Sequence, residues 1–391
     1  MDPDRTTYDF VALPNRLGQG SVKWRASEDN PDLLQLWVAD MDFEPFPALR
    51  QAIISHGQGA IFGYSYPKQE LFDAIMSWEK TQHRYQISQD SLVLVSGVVP
   101  AIAIAIQALT KQGDAVLINS PVYPPFANMV RLNNRRLRRQ PLELVNGQFQ
   151  MDMEAFEQEF ISEDIKLYLL CNPHNPGGRA WSKEELKQIG DICLKHNVLV
   201  ISDEIHQDLT LFGHQHHSFN TVDKTFADIS LVLSSATKTF NLAGTKNSFA
   251  IIENPKLRQA FIKQQERNHQ QEIPTIGYLT TQVAYESGSQ WLDALKKVLE
   301  DNILFLCEYL EQYTQIKVMK PQATYLVWLD FSAYGLSQAE LMSRLTSTAK
   351  VVLNNGQAFG PQGKGFARIN VATPKATLIE ACQRIAQAFP K

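Results

Sequence analysis

The stretch "SLVLVSGVVPAIAIAIQALTKQGDAVLINSP", Ser91 to Pro121, decides the fold. "SLVLVS" is a continuous apolar run of strand length. "VVPAIAIAIQALT" follows as a helix, and "AVLINSP" is a second apolar strand. A strand that is apolar at nearly every position is buried on both faces. Strand, helix and strand together therefore read as one unit of a sheet covered by helices on both sides. The pattern continues downstream. "MDMEAFEQEF" is an amphipathic helix with Asp152 as its cap, and "IKLYLLCNP" is a strand. "SKEELKQIGDICLKHN" is a helix opened by a capping box, Ser182 with Glu185 three residues later. "VLVISDEIH", "ISLVLSS" and "SFAIIE" are further strands. The expected class is α/β, with ligands bound beyond the carboxyl ends of the strands.

The last hundred residues change character. A long helix spans roughly Ser289 to Tyr313, followed by the strand-rich "IKVMKPQATYLVWLDF". A helix from about Ser337, then "FARINVATP" and a final helix, complete a second, α+β domain. The first 45 residues have few periodic elements and are expected to pack beside it. The expected organisation is an N-terminal segment 1–45, a large domain 46–288 and a small domain 289–391.

The chain has 391 residues, with 37 Lys and Arg against 41 Asp and Glu, a net charge of −4. That balance carries no footprint for nucleic acid or an anionic membrane. The isolated basic cluster "RLNNRRLRRQ", Arg131 to Gln140, reads as solvated surface. Cys171, Cys193, Cys307 and Cys382 have neither CxxC nor Cys/His spacing, which suits a reducing compartment. "MDPDRTTYDF" lacks the basic-then-apolar order of a signal peptide, and no apolar run approaches the ~18 residues of a membrane span. A cytoplasmic protein is expected.

Chemistry-bearing residues fall at the carboxyl ends of the strands. "SGVVPA" (Ser96 to Ala101) opens a helix whose unpaired N–H groups suit a phosphate, although a glycine there also serves as plain turn chemistry. Asp203 in "SDEIH" ends an apolar strand, where a carboxylate needs a partner or serves as a cap; His206 could orient it. "CNPHNPGG" is a rigid turn that holds two side-chain amides. Lys238 in "SSATKTFNLAG" follows another strand. Enclosed there, a lysine loses affinity for its proton and becomes a nucleophile able to form a Schiff base, whereas a surface lysine does neither. In chain order come a phosphate turn, an aromatic (Tyr123 in "PVYPPF"), an amide, a carboxylate and a lysine. Together they suit a phosphorylated, cationic aromatic aldehyde, pyridoxal 5'-phosphate.

With "HNPGG", "SDEIH", "SSATKTFNLAG" and "FARINVATP" in this order, the chain resembles fold-type I pyridoxal-phosphate enzymes of the class I/II aminotransferase superfamily. "SVKW", "WVADMDF", "FGYSYP" and "VLVISDEIHQDLTLFG" resemble the MalY/PatB branch, the cystathionine β-lyase-like C–S lyases. The resemblance runs from about Arg16 to Pro374. It implies a mostly parallel seven-stranded sheet in the large domain and a small domain built from both chain ends. It implies Lys238 as the Schiff-base lysine, Asp203 as partner of the pyridine nitrogen, and Asn175 at the ring oxygen. Gly97, Val98, Val99, Ser235 and Lys246 would hold the phosphate, Tyr123 would stack on the ring, and His206 would lie close by. Arg368 would clamp the substrate α-carboxylate, with Asn175 and Tyr123 also at the substrate. Tyr64 would reach the phosphate of a neighbouring subunit, making a homodimer with sites at its interface. Gly177 stands where the family commonly has threonine, Thr237 where serine is common and Gln207 in place of serine. None of these removes a named catalytic group.

The implied reaction is elimination from an amino-acid thioether. An aminotransferase on the same scaffold remains open, as does a regulatory protein-binding role. "GPQGKG" (Gly360 to Gly365) lacks the spacing of a phosphate loop and reads as a loop. His206, His214, His216 and His217 lack a carboxylate or cysteine at helical spacing, so no metal site is expected.

Overall fold

The computed structural model describes residues 8–59 and 61–391. Fifteen strands form four sheets, numbered here in chain order. The largest is built from β2 (Leu92–Val95), β3 (Ala115–Ser120), β4 (Arg136–Pro141), β7 (Ile165–Cys171), β8 (Leu199–Asp203), β9 (Ser230–Ser234) and β10 (Ser248–Ile251). Their order across the sheet is β2-β10-β9-β8-β7-β3-β4. Only β10 runs against its neighbours. This is the mostly parallel seven-stranded sheet that the motifs implied.

Alternate side chains of the central strands β3, β7 and β8 feed two separate cores, and β9 and β10 place Val232 and Phe249 in a third. Val116, Ile118, Leu167, Leu169, Ile201 and Leu231 face one side, packed beneath the helix Val98–Leu109. Ala115, Leu117, Tyr168, Leu170 and Val200 face the other, with Leu186, Ile189 and Cys193 of the helix Lys183–Lys195. The period-2 geometry of a strand buried on both faces accounts for its continuous apolar run. The predicted caps are present: Asp152 accepts from the Ala155 amide at 3.0 Å. Ser182 and Glu185 bond each other reciprocally, at 3.2 and 2.8 Å.

The basic cluster needs correction. Arg136–Pro141 is not merely solvated surface but β4, the edge of the large sheet, paired in parallel with β3. Arg138 is only partly exposed and reaches Glu163 at 3.0 Å. Charges along an edge strand block further pairing while the backbone stays in the ladder.

The remaining strands tie the chain ends together. β11 (Lys317–Met319), β12 (Leu326–Asp330), β15 (Phe366–Asn370) and β14 (Asn354–Asn355) make an antiparallel sheet in that order. β1 (Leu34–Gln35) pairs with β13 (Val351–Val352), so the N-terminal segment joins the C-terminal elements. β5 (Glu143–Val145) and β6 (Gln148–Gln150) form a hairpin. The helix expected over Ser289 to Tyr313 has those bounds. Among the described residues no helix is long and apolar enough to cross a membrane.

Candidate active site

The ends of β2, β7, β8 and β9 converge on a cavity of about 190 Å³. Gly97 caps the helix Val98–Leu109 with no side-chain cap, and Gly97, Val98 and Val99 form one wall. The first amides of a helix have no intrahelical partner and carry partial positive charge, so this wall attracts an anion. Lys246, exposed and in the left-handed region at φ 59°, stands on the same wall.

Asp203, at the end of β8, lies across the cavity and is buried. Among the described residues its carboxylate accepts one hydrogen bond, from the Ile205 amide at 3.1 Å, and has no cationic side chain in contact. Burial pushes its pKa from the ordinary 3.8 to about 7; the nearby Glu204 adds to this, and the Ile205 amide and Lys238 oppose it. Lys238, after β9, faces the same cavity, and its Nζ donates to the Ala39 carbonyl at 2.6 Å. Burial, with the charge of Arg368, lowers it from 10.5 to about 8.

Tyr123 and Asn175 line the cavity and are joined by a hydrogen bond from the Tyr123 amide to the Asn175 carbonyl at 3.1 Å. Arg368 on β15 donates to Asn175 Oδ1 at 2.8 Å and to the Trp37 carbonyl at 3.0 Å. The guanidinium is buried, has no carboxylate partner among the described residues, and its Nε is unbonded. Burial lowers it to about 10, which leaves it charged at neutral pH.

Two expectations, for Ser235 and His206, come out differently in detail. Ser235 is not on the cavity wall: its hydroxyl donates to the Asn247 carbonyl at 2.7 Å and caps the Thr237 amide. Thr237 takes the wall position instead. His206 lines the cavity but makes no hydrogen bond to Asp203, so it does not orient that carboxylate; burial lowers it to about 3 and keeps it neutral. Tyr64 is fully exposed and lies outside this chain's own cavity.

The sequence reading gave "WVADMDF" no structural role. Its backbone is a strap across the site. The carbonyls of Trp37, Val38, Ala39 and Asp40 accept from Arg368, Asn370, Lys238 and again Asn370. Asn241, three residues after Lys238, clips the strap by bonding both the amide and the carbonyl of Met41. "SVKW" supports it from below: the fully buried Lys23 Nζ lies 2.8 Å from Asp42. Breaking this pair leaves the buried Asp42 with only the longer 3.4 Å ion pair to Arg16 among the described residues. Lys23→Met should therefore lower stability by about 3 kcal/mol, read as a fall in the denaturant midpoint at unchanged slope.

The residues fit pyridoxal phosphate. An anion wall, an uncompensated buried carboxylate, a lysine of lowered basicity and an aromatic ring match its phosphate, ring nitrogen, aldehyde and ring. Among the described residues no group of three or more His, Cys, Asp or Glu is placed to hold a metal ion.

The family model "Aminotransferase class I and II" matches residues 31–385. Cystathionine beta-lyase PatB of Bacillus subtilis (strain 168) is 41% identical over 385 residues, covering 97% of this chain and all of that protein. Protein MalY of Escherichia coli (strain K12) is 31% identical, covering 95% of this chain and 96% of its own length. Cystalysin from Treponema denticola, whose crystal structure contains a pyridoxal 5'-phosphate cofactor, superposes with a TM-score of 0.95 at 33% identity, over 97% of this chain and 98% of that one. Strand-end lysine, buried carboxylate and helix-end anion wall thus stand in a chain matched along nearly its whole length, and the protein belongs to the aminotransferase class I and II family.

Proposed function

We propose that the protein is a pyridoxal-phosphate-dependent C–S β-lyase that converts cystathionine or related cysteine thioethers to pyruvate, ammonia and a thiol. The observation that carries this is the charge arrangement. A buried carboxylate without a cation, a buried guanidinium without an acid and a lysine lowered to about 8 surround one cavity. The similarity to cystathionine beta-lyase PatB supports elimination over amino transfer.

Bound there, pyridoxal phosphate supplies an electron sink for the charge that develops beside the substrate amine. The amides of Val98 and Val99, with Lys246, would hold its phosphate, and Tyr123 its ring face. Asn175 would bond the ring oxygen. Asp203 would keep a proton on the ring nitrogen. Arg368 presents a planar fork that matches the two oxygens of the substrate α-carboxylate. Lys238 Nζ, near neutral pH a mixture of amine and ammonium, takes the α-proton as general base.

The test is pyruvate and thiol release from L-cystathionine by the purified holoenzyme without added keto acid. Equal amounts of both support the lyase; transfer of the amino group to an added keto acid, with neither pyruvate nor thiol released, turns the reading to an aminotransferase. Arg368→Ala should lower kcat/KM for L-cystathionine about 10²-fold, mostly through KM, because two charge-assisted hydrogen bonds are lost. Arg368→Lys, lacking the fork, should recover only part of this in steady-state kinetics.

We read the working unit as a homodimer. Ile61, Phe62, Tyr64 and Tyr66 are all more than three-quarters exposed on one short segment, a concentration of apolar surface that suits a protein interface. Tyr64 would then act at the partner's cofactor phosphate. Mixing Lys238→Ala subunits with Tyr64→Ala subunits should restore activity, since one site of each hybrid would combine an intact Lys238 with an intact Tyr64. No recovery on subunit exchange overturns this. Four free cysteines, three of them buried, support a cytoplasmic setting. The pairing of β1 with β13 supports grouping residues 1–45 with the small domain 289–391, apart from the large domain 46–288.

A further inference from the structure

A second cavity, of about 440 Å³, lies outside the site just described. It sits among the end of the helix Gln69–His83, the start of the helix Lys183–Lys195, the segment 207–217 after β8, and the first turns of the helix Ser289–Tyr313. Its size is that of a small-molecule site. Its charge is one-sided. Arg84, Lys183 and Lys296 line it, and among the described residues none of the three is held in a close ion pair, although Asp208, Asp293 and Glu300 act on Lys296 from farther off. The only lining carboxylate among the described residues, Asp208, is saturated: it accepts from His83 at 2.7 Å, Trp78 at 2.9 Å and Thr239 at 2.6 Å.

The histidines sharpen the picture. His83 is 95% buried as a side chain, and its Nε2 is committed to Asp208. Asp208, with Glu79 and Glu204 nearby, raises its pKa against the opposing effect of burial. A protonated imidazole is a donor at both nitrogens. When doubly protonated, His83 offers Nδ1–H, the nitrogen not bonded to Asp208, as a further donor. His216 meets His83 edge-on at 5.6 Å and is fixed by Glu204 at 2.9 Å, while His214 and His217 complete the wall. Three of the four histidines weighed as a metal set thus belong to this cavity, as a donor-rich lining without a free carboxylate.

We propose that this cavity binds a compact polyvalent oxyanion, a pyrophosphate or a small phosphorylated metabolite, on Arg84, Lys183 and Lys296, beside His83. Three cations converging on one cavity suit several phosphate oxygens at once. A carboxylate of one charge would leave most of them unused. Asp208, which orients His83, also accepts from Thr239, the residue next to Lys238.

The test uses the cofactor-saturated enzyme, whose own phosphate wall is then filled. Calorimetric titration with inorganic pyrophosphate, orthophosphate and sodium chloride is run at constant ionic strength. Pyrophosphate should bind more tightly than orthophosphate, and chloride should give no saturable heat. Arg84→Gln/Lys183→Gln, two exposed positions, should weaken pyrophosphate roughly 100-fold, about tenfold for each charge-assisted bond lost. Lys296→Gln alone should weaken it about tenfold. Cleavage of L-cystathionine without pyrophosphate should be unchanged in both variants. Equal affinity in wild type and variants, or heat no greater than that of chloride, overturns the proposal.

Discussion

Replacing Lys238 with alanine lowers pyruvate release from L-cystathionine by at least about 10⁴-fold, and borohydride no longer fixes the cofactor to the chain. The size follows from two roles in one amine. A positioned general base contributes roughly 10²–10⁴-fold, and a covalent anchor adds to that. The structure supplies the reasons. Nζ is held by a single neutral acceptor, the Ala39 carbonyl at 2.6 Å, so no carboxylate in direct contact locks its proton. Burial and the Arg368 charge bring its pKa to about 8, against the weaker pull of Asp40 and Asp203. Arg368→Ala removes one of those effects, so the Lys238 pKa should rise and the acidic limb of the kcat profile should move to higher pH. An unmoved limb in that variant would show that Arg368 acts through substrate binding alone. Retention of more than a hundredth of wild-type activity by Lys238→Ala would remove the lysine from the mechanism.

The large sheet was legible because burial on both faces writes itself into a strand as an unbroken apolar run. β3, β9 and β10 are buried at every position, and each was read from such a run. β4 was missed because an edge strand keeps its ladder through backbone bonds while its side chains carry charge. Arg136 and Arg138 advertise surface, and nothing in their pattern reports the pairing with β3. The site shows the same division. Residues placed by a strand's own end, such as Asp203 and Lys238, could be found from the strand. Contacts made across the chain could not. Ala39 meets Lys238 199 residues away through a backbone carbonyl, which no residue type encodes. His83 meets Asp208 across 125 residues, and the helix that carries His83 was not read from the sequence. The one signal for the strap was the motif "WVADMDF" itself, whose structural part is played largely by carbonyl oxygens.

Asp203→Asn separates stability from activity in opposite directions. In the cofactor-free protein this carboxylate is raised from 3.8 to about 7, mainly by burial. A raised carboxylate makes the folded state hold more protons than the unfolded state between those values. Stability therefore falls as pH climbs from about 4 to about 7, by at most about 4 kcal/mol for this one group. Asparagine has no proton to hold, so the cofactor-free variant should be the more stable form at pH 7, and its urea midpoint should lose that part of the pH slope. Glu79, also raised to about 7, contributes the same sign in both proteins, so the difference between the two curves isolates Asp203. With cofactor the order reverses. A cationic ring nitrogen held beside Asp203 would supply the missing partner, and removing one member of such a buried pair should cost about 4 kcal/mol, roughly 10³-fold in kcat/KM. Asn at this position can no longer hold the nitrogen's proton electrostatically, so the loss should appear in kcat more than in KM. The two measurements test different links. A destabilised cofactor-free variant would mean that the carboxylate is satisfied within the protein, and an active one would mean that the ring nitrogen needs no anion.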